Sequence, residues 1–205
     1  MGFIGEKMDY VDGIKKYIEL EISVLRQIDA MEINALMNAI ENSRQKNATI
    51  YIMGNGGSAA TASHFVNDFN KGISEYIEQK FRFVCLNDNI ATVMAIANDI
   101  GYDAVFEFQL RGKMKPGDLV IGISGSGNSL NVLNAIELAK KEGISTAGLT
   151  GYDGGKLRKL VDIPVHVPIM SMQVTEDIHM VFDHLMMAIF YKELCGKDHL
   201  KEGCA

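Results

Sequence analysis

Two short segments rich in glycine and serine contain residue types that hold anions. They are residues 54–58 (GNGGS) and 124–129 (SGSGNS), and each follows an apolar run and precedes a stretch of helical composition. Glycines let a ligand approach the backbone amides closely, and the first turn of a helix leaves about four N–H groups without partners. Such a helix end attracts anions, phosphate above all. A tight turn without a ligand is the alternative for each segment.

The serine content of the second segment favours a binding role, because a turn that only caps a helix needs a single serine. Ser124, Ser126 and Ser129 supply three hydroxyls at the start of a predicted helix. Hydroxyls and amides that converge there would satisfy a phosphate monoester without a lysine. Neither segment fits the GxxxxGK[ST] or the GxGxxG pattern, so no nucleotide cofactor is predicted.

Histidines and carboxylates on two predicted helices could transfer protons or hold a metal ion. His64 and Asp68 are four residues apart and share one face of a helix. On spacing alone, such a pair is more often a surface hydrogen bond than a site. Glu176, His179 and His184 stand among apolar residues of the last helix, where a histidine is usually a hydrogen-bonded core or interface residue. The spacing therefore leaves structural and chemical roles open.

Alternating strands and helices must position these side chains. The predicted strands are ATIYIM, FRFVCLN, DLVIGIS, STAGLTGY and IPVHVP, which start at residues 48, 81, 118, 145 and 163. The predicted helices between and after them cover residues 58–71, 90–98, 103–114, 130–143, 156–161 and 175–194. This alternation predicts an α/β fold with a doubly wound, five-stranded parallel sheet. In the common strand order 2-1-3-4-5, both glycine/serine segments would face one crevice, where ligands bind in such sheets.

Two amphipathic helices precede the first strand, between residues 9 and 45. Their apolar faces are wide enough both to cover one side of the sheet and to pack against a second subunit. We therefore interpret residues 1–205 as a single domain. Residues 1–46 would serve packing and oligomerisation, and residues 47–195 would form the α/β core.

Composition excludes several classes of function. A net charge of −6 without a Lys/Arg cluster argues against nucleic acid or an anionic membrane as partner. No apolar run approaches the roughly 18 residues of a membrane span, and no signal-peptide core is present, which predicts a cytoplasmic protein. Cys85, Cys195 and Cys204 are odd in number and lack CxxC spacing, which suits a reducing compartment.

The sequence resembles the SIS (sugar isomerase) domain family over nearly its whole length, and within it the phosphoheptose isomerases. The resemblance rests on five segments in order: GNGGSAATASHF, LNDN followed by AIANDIGYDAVF, PGDLVIGISGSGNSLNVL, GLTGYDGGKL and EDIHMVFDH. It implies a flavodoxin-like core and a homotetramer with active sites at subunit contacts. It also implies conversion of sedoheptulose 7-phosphate to glycero-manno-heptose 7-phosphate.

The resemblance further implies roles for individual residues. Ser124, Gly125, Ser126 and Ser129 would hold the phosphate, and Asn55, Gly56, Gly57, Ser58, Asn98 and Asp99 would line the sugar. His64, Asp68, Glu176 and His184 match the positions that bind zinc or move protons in family members that have a metal.

Two of these positions depart from the pattern of the phosphoheptose isomerases, which typically have Glu in place of Asp68 and Gln in place of Glu176. The missing methylene withdraws the carboxylate at position 68 by about 1.5 Å, enough to impair proton transfer. Glu176 adds a carboxylate, and unlike an amide it can act as a base. We therefore expect Asp68 as ligand or acid, Glu176 as a possible base and His184 as acid.

Two further expectations stay open. Eight residues of straight helix rise about 12 Å, so Glu176 and His184 can share one ion only if the helix bends or neighbouring subunits contribute ligands.

The rival function is a non-catalytic SIS module that binds a sugar phosphate or a protein partner such as a replication initiator. The two histidines and two carboxylates favour an enzyme, and an isomerase of pentose or hexosamine phosphates is a third reading.

Overall fold

Five parallel strands form one sheet in the order β2-β1-β3-β4-β5, as the sequence predicts. The strands are β1 (Ile50–Gly54), β2 (Phe83–Cys85), β3 (Leu119–Ser124), β4 (Ser145–Thr150) and β5 (Ile163–His166). This computed structural model describes residues 9–196, so the prediction for Cys204 and the outermost residues of the single-domain assignment lie outside it.

Helices precede, connect and follow the strands. They are α1 (Val11–Leu25), α2 (Ala30–Gln45), α3 (Gly57–Asn67), α4 (Ile90–Asp99), α5 (Glu107–Leu110), α6 (Leu130–Lys141), α7 (Gly155–Leu160) and α8 (Met172–Cys195). The continuous helix predicted over 103–114 is wrong. A 3-10 turn at Tyr102–Ala104 and the four-residue α5 replace it. Gly112 adopts a φ of +70°, which a right-handed helix does not allow, so the helix ends before it.

Helices cover both faces of the sheet because strand residues alternate between two apolar clusters. Ile50 and Ile52 of β1 pack in the cluster that includes residues of α2, α3 and α8. Tyr51 and Met53 point the other way, into the cluster formed with α4, α5, α6 and α7. Side chains of a strand point alternately to its two faces, so this division confirms the doubly wound arrangement.

The two N-terminal helices differ in what they bury. α2 packs Ile33, Leu36 and Ile40 against the sheet. In α1, by contrast, Ile14 and Ile18 are 57% and 49% exposed. Between residues 9 and 196, no helix is long and apolar enough to span a bilayer.

Candidate active site

Both glycine/serine segments flank one open cavity at the carboxyl edge of the sheet. β1 and β3 are neighbours, with Gly54 paired to Ile123, so the segments that follow them lie side by side. The cavity between them measures about 250 Å³. The segments contribute Asn55, Gly56, Gly57, Ser58, Ser124, Gly125, Ser126 and Ser129 to its lining, and α8 contributes Met172 and Glu176. The expected shared crevice is confirmed.

The serine segment presents hydroxyls that the fold does not use for capping. Ser124 Oγ and Ser129 Oγ lie 3.0 Å apart. Ser129 is the N-cap residue of α6, yet its side chain makes no capping hydrogen bond. Gly127 has a φ of +66°, and a β-carbon there would overlap the Gly154 carbonyl, so only glycine fits this turn. The hydroxyls are thus held at the start of α6, where an anion is favoured.

A pair of asparagines ties the two segments together. Asn55 and Asn131 each donate from Nδ2 to the other's Oδ1, at 2.9 Å. The Tyr102 hydroxyl also donates to Asn55 Oδ1, at 2.7 Å. These bonds fix the side chain of Asn55, which the sequence places along the sugar. Asn131 is itself buried, so its hydrogen bonds with Asn55 stabilise this side of the cavity.

The first turns of α8 close the cavity from one side. A β-carbon on Gly57 would overlap the Glu176 carboxylate, and one on Gly125 would overlap the Met172 sulfur. The two glycines therefore allow α8 to approach the loops closely. Glu176 lies beside the N-terminus of α3, where the helix dipole favours a negative charge. A carboxylate of the protein already occupies this helix end, whereas the start of α6 offers serine hydroxyls.

A second polar group forms where α3 meets α8. His64, Asp68, Asp183 and His184 each offer a ligand atom within 4.8 Å of the others. His64 Nε2 lies 3.0 Å from His184 Nε2, 3.4 Å from Asp68 Oδ2 and 3.8 Å from Asp183 Oδ2. His184 Nε2 lies 3.8 Å from Asp68 Oδ2. Asp68 begins a π-helical turn (Asp68–Gly72) after α3, a feature common at functional sites.

Burial divides this group into an exposed side and a buried side. The side chains of His64 and His184 are 39% and 57% exposed, whereas Asp183 is fully buried. Burial, and then the nearby charge of Asp68, raise the pKa of Asp183 to about 8. Imidazoles that face solvent beside a buried carboxylate can pass protons to a ligand or hold a cation.

The sequence profile of the SIS domain matches residues 11–151, which is more than half of the chain. The chain belongs to the SIS domain family. This SIS domain is 37% identical to the phosphoheptose isomerase of Aliarcobacter butzleri, over 88% of this chain and 96% of the relative. It is 36% identical to that of Sulfurimonas denitrificans, over 89% and 98%. The phosphoheptose isomerase structure from Neisseria gonorrhoeae superposes with a TM-score of 0.81 at 27% identity, covering 89% and 98% of the two chains.

These relatives place this SIS domain in the phosphoheptose isomerase family and confirm the fold that the resemblance implied. Imidazole nitrogens and carboxylate oxygens are ligands that Zn²⁺ prefers. The group His64, Asp68, Asp183 and His184 therefore fits a divalent cation.

Most of the predicted substrate-binding residues line the cavity of the SIS domain, but Asn98 and Asp99 do not. Asn98 Nδ2 donates to Asp99 Oδ1 at 2.8 Å, and both lie at the C-terminal end of α4. Their contact with a substrate stays a prediction.

The predicted set of His64, Asp68, Glu176 and His184 does not come together within one chain. Glu176 lies at the cavity beside Gly57, whereas the other three gather further along α8. The possibility that a bend brings Glu176 to the others is wrong, because α8 is continuous from Met172 to Cys195. Eight residues of such a helix separate Glu176 from His184 by about 12 Å.

Sequence reasoning missed Asp183, Asn131 and Tyr102. Asp183 directly precedes His184 and follows Glu176 by seven residues, so it lies on nearly the same stripe of the helix as Glu176. That spacing was the available signal. The Asn131 and Tyr102 contacts join residues 76 and 47 positions away in the chain, and no local pattern indicates them.

Proposed function

We propose that this protein is a phosphoheptose isomerase that converts sedoheptulose 7-phosphate to D-glycero-D-manno-heptose 7-phosphate through an enediol. One observation supports this most directly. The serine hydroxyls at the start of α6 and the Glu176 carboxylate line the same cavity. The second imidazole–carboxylate group lies further along α8, about 12 Å of helix rise from Glu176.

Phosphate binding would position the reacting end of the sugar. Ser124, Ser126 and Ser129 would hold the phosphate together with amides of the loop, and the remaining lining residues, with Asn98 and Asp99, would contact the sugar chain. Binding energy gained at the phosphate can then be used to orient the distant carbonyl and its neighbouring carbon.

Isomerisation moves one proton from C1 to C2 and needs a base at carbon and an acid that shuttles between the two oxygens. Asp68, which lies beside His184, would remove the C1 proton and return it at C2 within one chain. Glu176 would take this role instead at a subunit contact, because about 12 Å of helix separates it from His184 of its own chain. His184, whose side chain is 57% exposed, would exchange a proton between the oxygens of C1 and C2. Two carboxylates are available, whereas typical family members have one at these positions.

His64, Asp68 and His184 would hold a zinc ion if the protein uses one. Bound zinc would polarise the substrate carbonyl as a Lewis acid. The residues of the chain would still bind the phosphate and transfer the protons.

We further propose a homotetramer with active sites at subunit contacts. The exposed apolar residues of α1 support this, as does an apolar groove between α2 and α8 lined by Ile33, Met37, Leu185 and Ile189. The described cysteines, Cys85 and Cys195, are free thiols, which agrees with a cytoplasmic protein.

Incubation of purified protein with sedoheptulose 7-phosphate, followed by measurement of aldose formation, tests the activity. We expect aldose from the wild-type protein and strongly reduced formation from a His184→Gln variant. Pentose and hexosamine phosphates measured in parallel separate the other isomerase functions. Tight phosphosugar binding without any aldose would instead support the non-catalytic module.

A further inference from the structure

Asp183 is a buried carboxylate without a hydrogen-bond partner. Its side chain is fully buried, and both of its oxygens lack a hydrogen bond within residues 9–196. Taking a carboxylate out of water is costly unless a cation or several donors compensate. The charged or chargeable groups of the cluster around it are Asp68, His64 and His184, of which only the histidines can become cationic. Either a bound proton or a cation must therefore compensate the charge of two neighbouring carboxyl groups at this position.

The spacing of the four side chains is close to that of a metal coordination polyhedron. Zinc bound at about 2.0–2.2 Å in a tetrahedral site separates its ligand atoms by about 3.3–3.6 Å. All six pairs of ligand atoms lie within 4.8 Å, and four of the six are separated by 3.0 to 3.8 Å. One of these separations, 3.8 Å, joins His64 Nε2 to Asp183 Oδ2. Asp183 therefore belongs to the same group of potential ligands as the other three residues.

The facing histidines also favour an ion over a proton. His64 Nε2 and His184 Nε2 point at each other at 3.0 Å, and a single proton between them can be donated by only one ring. A cation would use the lone pairs of both rings and would balance both carboxylates at once.

We propose that Asp183 is a direct ligand of the divalent cation held by His64, Asp68 and His184, so that one chain completes the metal site without Glu176. The inference rests on the proposed function only for the presence of a metal at these residues. It leaves Glu176 at the sugar cavity, available as a base, and it requires no ligand from another subunit.

The test compares metal binding by variants at two positions of α8. Asp183→Asn keeps the side-chain shape and removes the charge, and Asp183→Ala removes the donor atoms. Glu176→Gln neutralises the other α8 carboxylate of the site, and Glu142→Gln neutralises an exposed carboxylate at the end of α6. Each full-length protein is stripped with chelator and titrated with Zn²⁺ and with Co²⁺, whose visible absorption reports the ligand set.

We expect both Asp183 variants to bind Zn²⁺ at least about tenfold more weakly and to change the Co²⁺ spectrum. Glu176→Gln and Glu142→Gln should bind the metal as the wild-type protein does. In chelator, Asp183→Asn should melt no lower than wild type, because the amide has the same shape and cannot become charged in this buried position. Added Zn²⁺ should then raise the melting temperature of wild type more than that of Asp183→Asn.

The inference is overturned if Asp183→Asn and Asp183→Ala bind Zn²⁺ and Co²⁺ like wild type, if Glu176→Gln loses the metal instead, or if wild type binds neither ion. No sugar is needed for these measurements. Loss of metal in the Asp183 variants without aldose formation by wild type would refute the proposed function alone. Aldose formation by wild type with unchanged metal binding in the Asp183 variants would refute this inference alone.

Discussion

At the scale of single residues, the site contains three carboxylates in three different surroundings. Glu176 lies at the cavity between the two glycine/serine segments, beside the N-terminus of α3, Asp68 lies beside two histidines, and Asp183 is fully buried. A base must reach the substrate, which a fully buried group cannot do. Glu176 and Asp68 are therefore the candidates for proton abstraction, and Asp183 is suited to the role of cation ligand proposed above.

Replacement of Glu176 by Gln tests which carboxylate is the base. The amide keeps the shape of the side chain but cannot accept the C1 proton, so we expect turnover to fall by about 10² or more. Steady-state kinetics with sedoheptulose 7-phosphate measures this. Glu142→Gln serves as the control for loss of one charge. Unchanged turnover in Glu176→Gln would assign the base role to Asp68.

Ser129→Ala tests the phosphate site without disturbing the helix cap. Ser129 makes no side-chain capping bond, so its loss should leave the melting temperature nearly unchanged. A hydrogen bond to a charged group is worth about 1.5–3 kcal/mol, so we expect KM for the phosphosugar to rise about tenfold or more. Ser145→Ala, at the exposed first residue of β4, is the matched control. An unaltered KM in Ser129→Ala would place the phosphate elsewhere.

At the scale of elements, α8 connects both parts of the site. Its first turns pack Met172 and Glu176 against the loop glycines, and its middle brings His184 to α3. Between them, His179 is fully buried, and its Nε2 lies 3.4 Å from the Thr150 carbonyl at the end of β4. Burial lowers the pKa of His179 to about 4, because the charged imidazolium cannot be solvated there.

The lowered pKa of His179 predicts a loss of stability in acid. Between about pH 6.5 and pH 4, the unfolded chain binds a proton at this histidine and the folded chain does not, so stability falls as the pH falls. His179→Gln can still donate to Thr150 but does not titrate. Between pH 6.5 and 4.5, we expect the free energy of unfolding of wild type to fall by about 2 kcal/mol more than that of His179→Gln. Equal losses in urea-unfolding experiments would contradict this assignment.

Sequence periodicity was sufficient for the sheet and for both loops, because each strand is a buried apolar run that ends in a turn signal. Ser124, Ser126 and Gly57 were located in this way. Contacts between distant segments were not predictable, because Asn55–Asn131 and His64–Asp183 depend on how α3, α6 and α8 pack. Glu176 was grouped with the histidines on resemblance, and the uninterrupted helix α8 holds it two turns away from His184.

At the scale of the whole molecule, α1 is an amphipathic helix whose apolar side lacks cover within the described chain. Tyr10, Val11, Ile14, Ile18 and Leu25 are exposed there, and Val24 alone is buried. The Tyr17 hydroxyl donates to Asp177, which holds α1 beside α8. Contact with another subunit would bury this surface and bring it close to the site on α8.

Charges placed on the apolar side of α1 should therefore dissociate the proposed tetramer. We expect the Ile14→Glu/Ile18→Glu double variant to sediment as a smaller species and to lose most of its activity, because the proposed active sites lie at subunit contacts. Lys16→Glu, on the opposite side of the same helix, controls for added negative charge. Analytical ultracentrifugation measures the change, and an unchanged assembly would exclude α1 from the interface.

Isomerisation in D₂O tests the central claim most directly. A base that takes the C1 proton of sedoheptulose 7-phosphate and exchanges it with solvent will deliver deuterium to C2 of the product. We predict aldose with deuterium at C2 by NMR, at a rate that falls in Glu176→Gln and in His184→Gln. Bound phosphosugar that yields neither aldose nor deuterium incorporation would contradict the account.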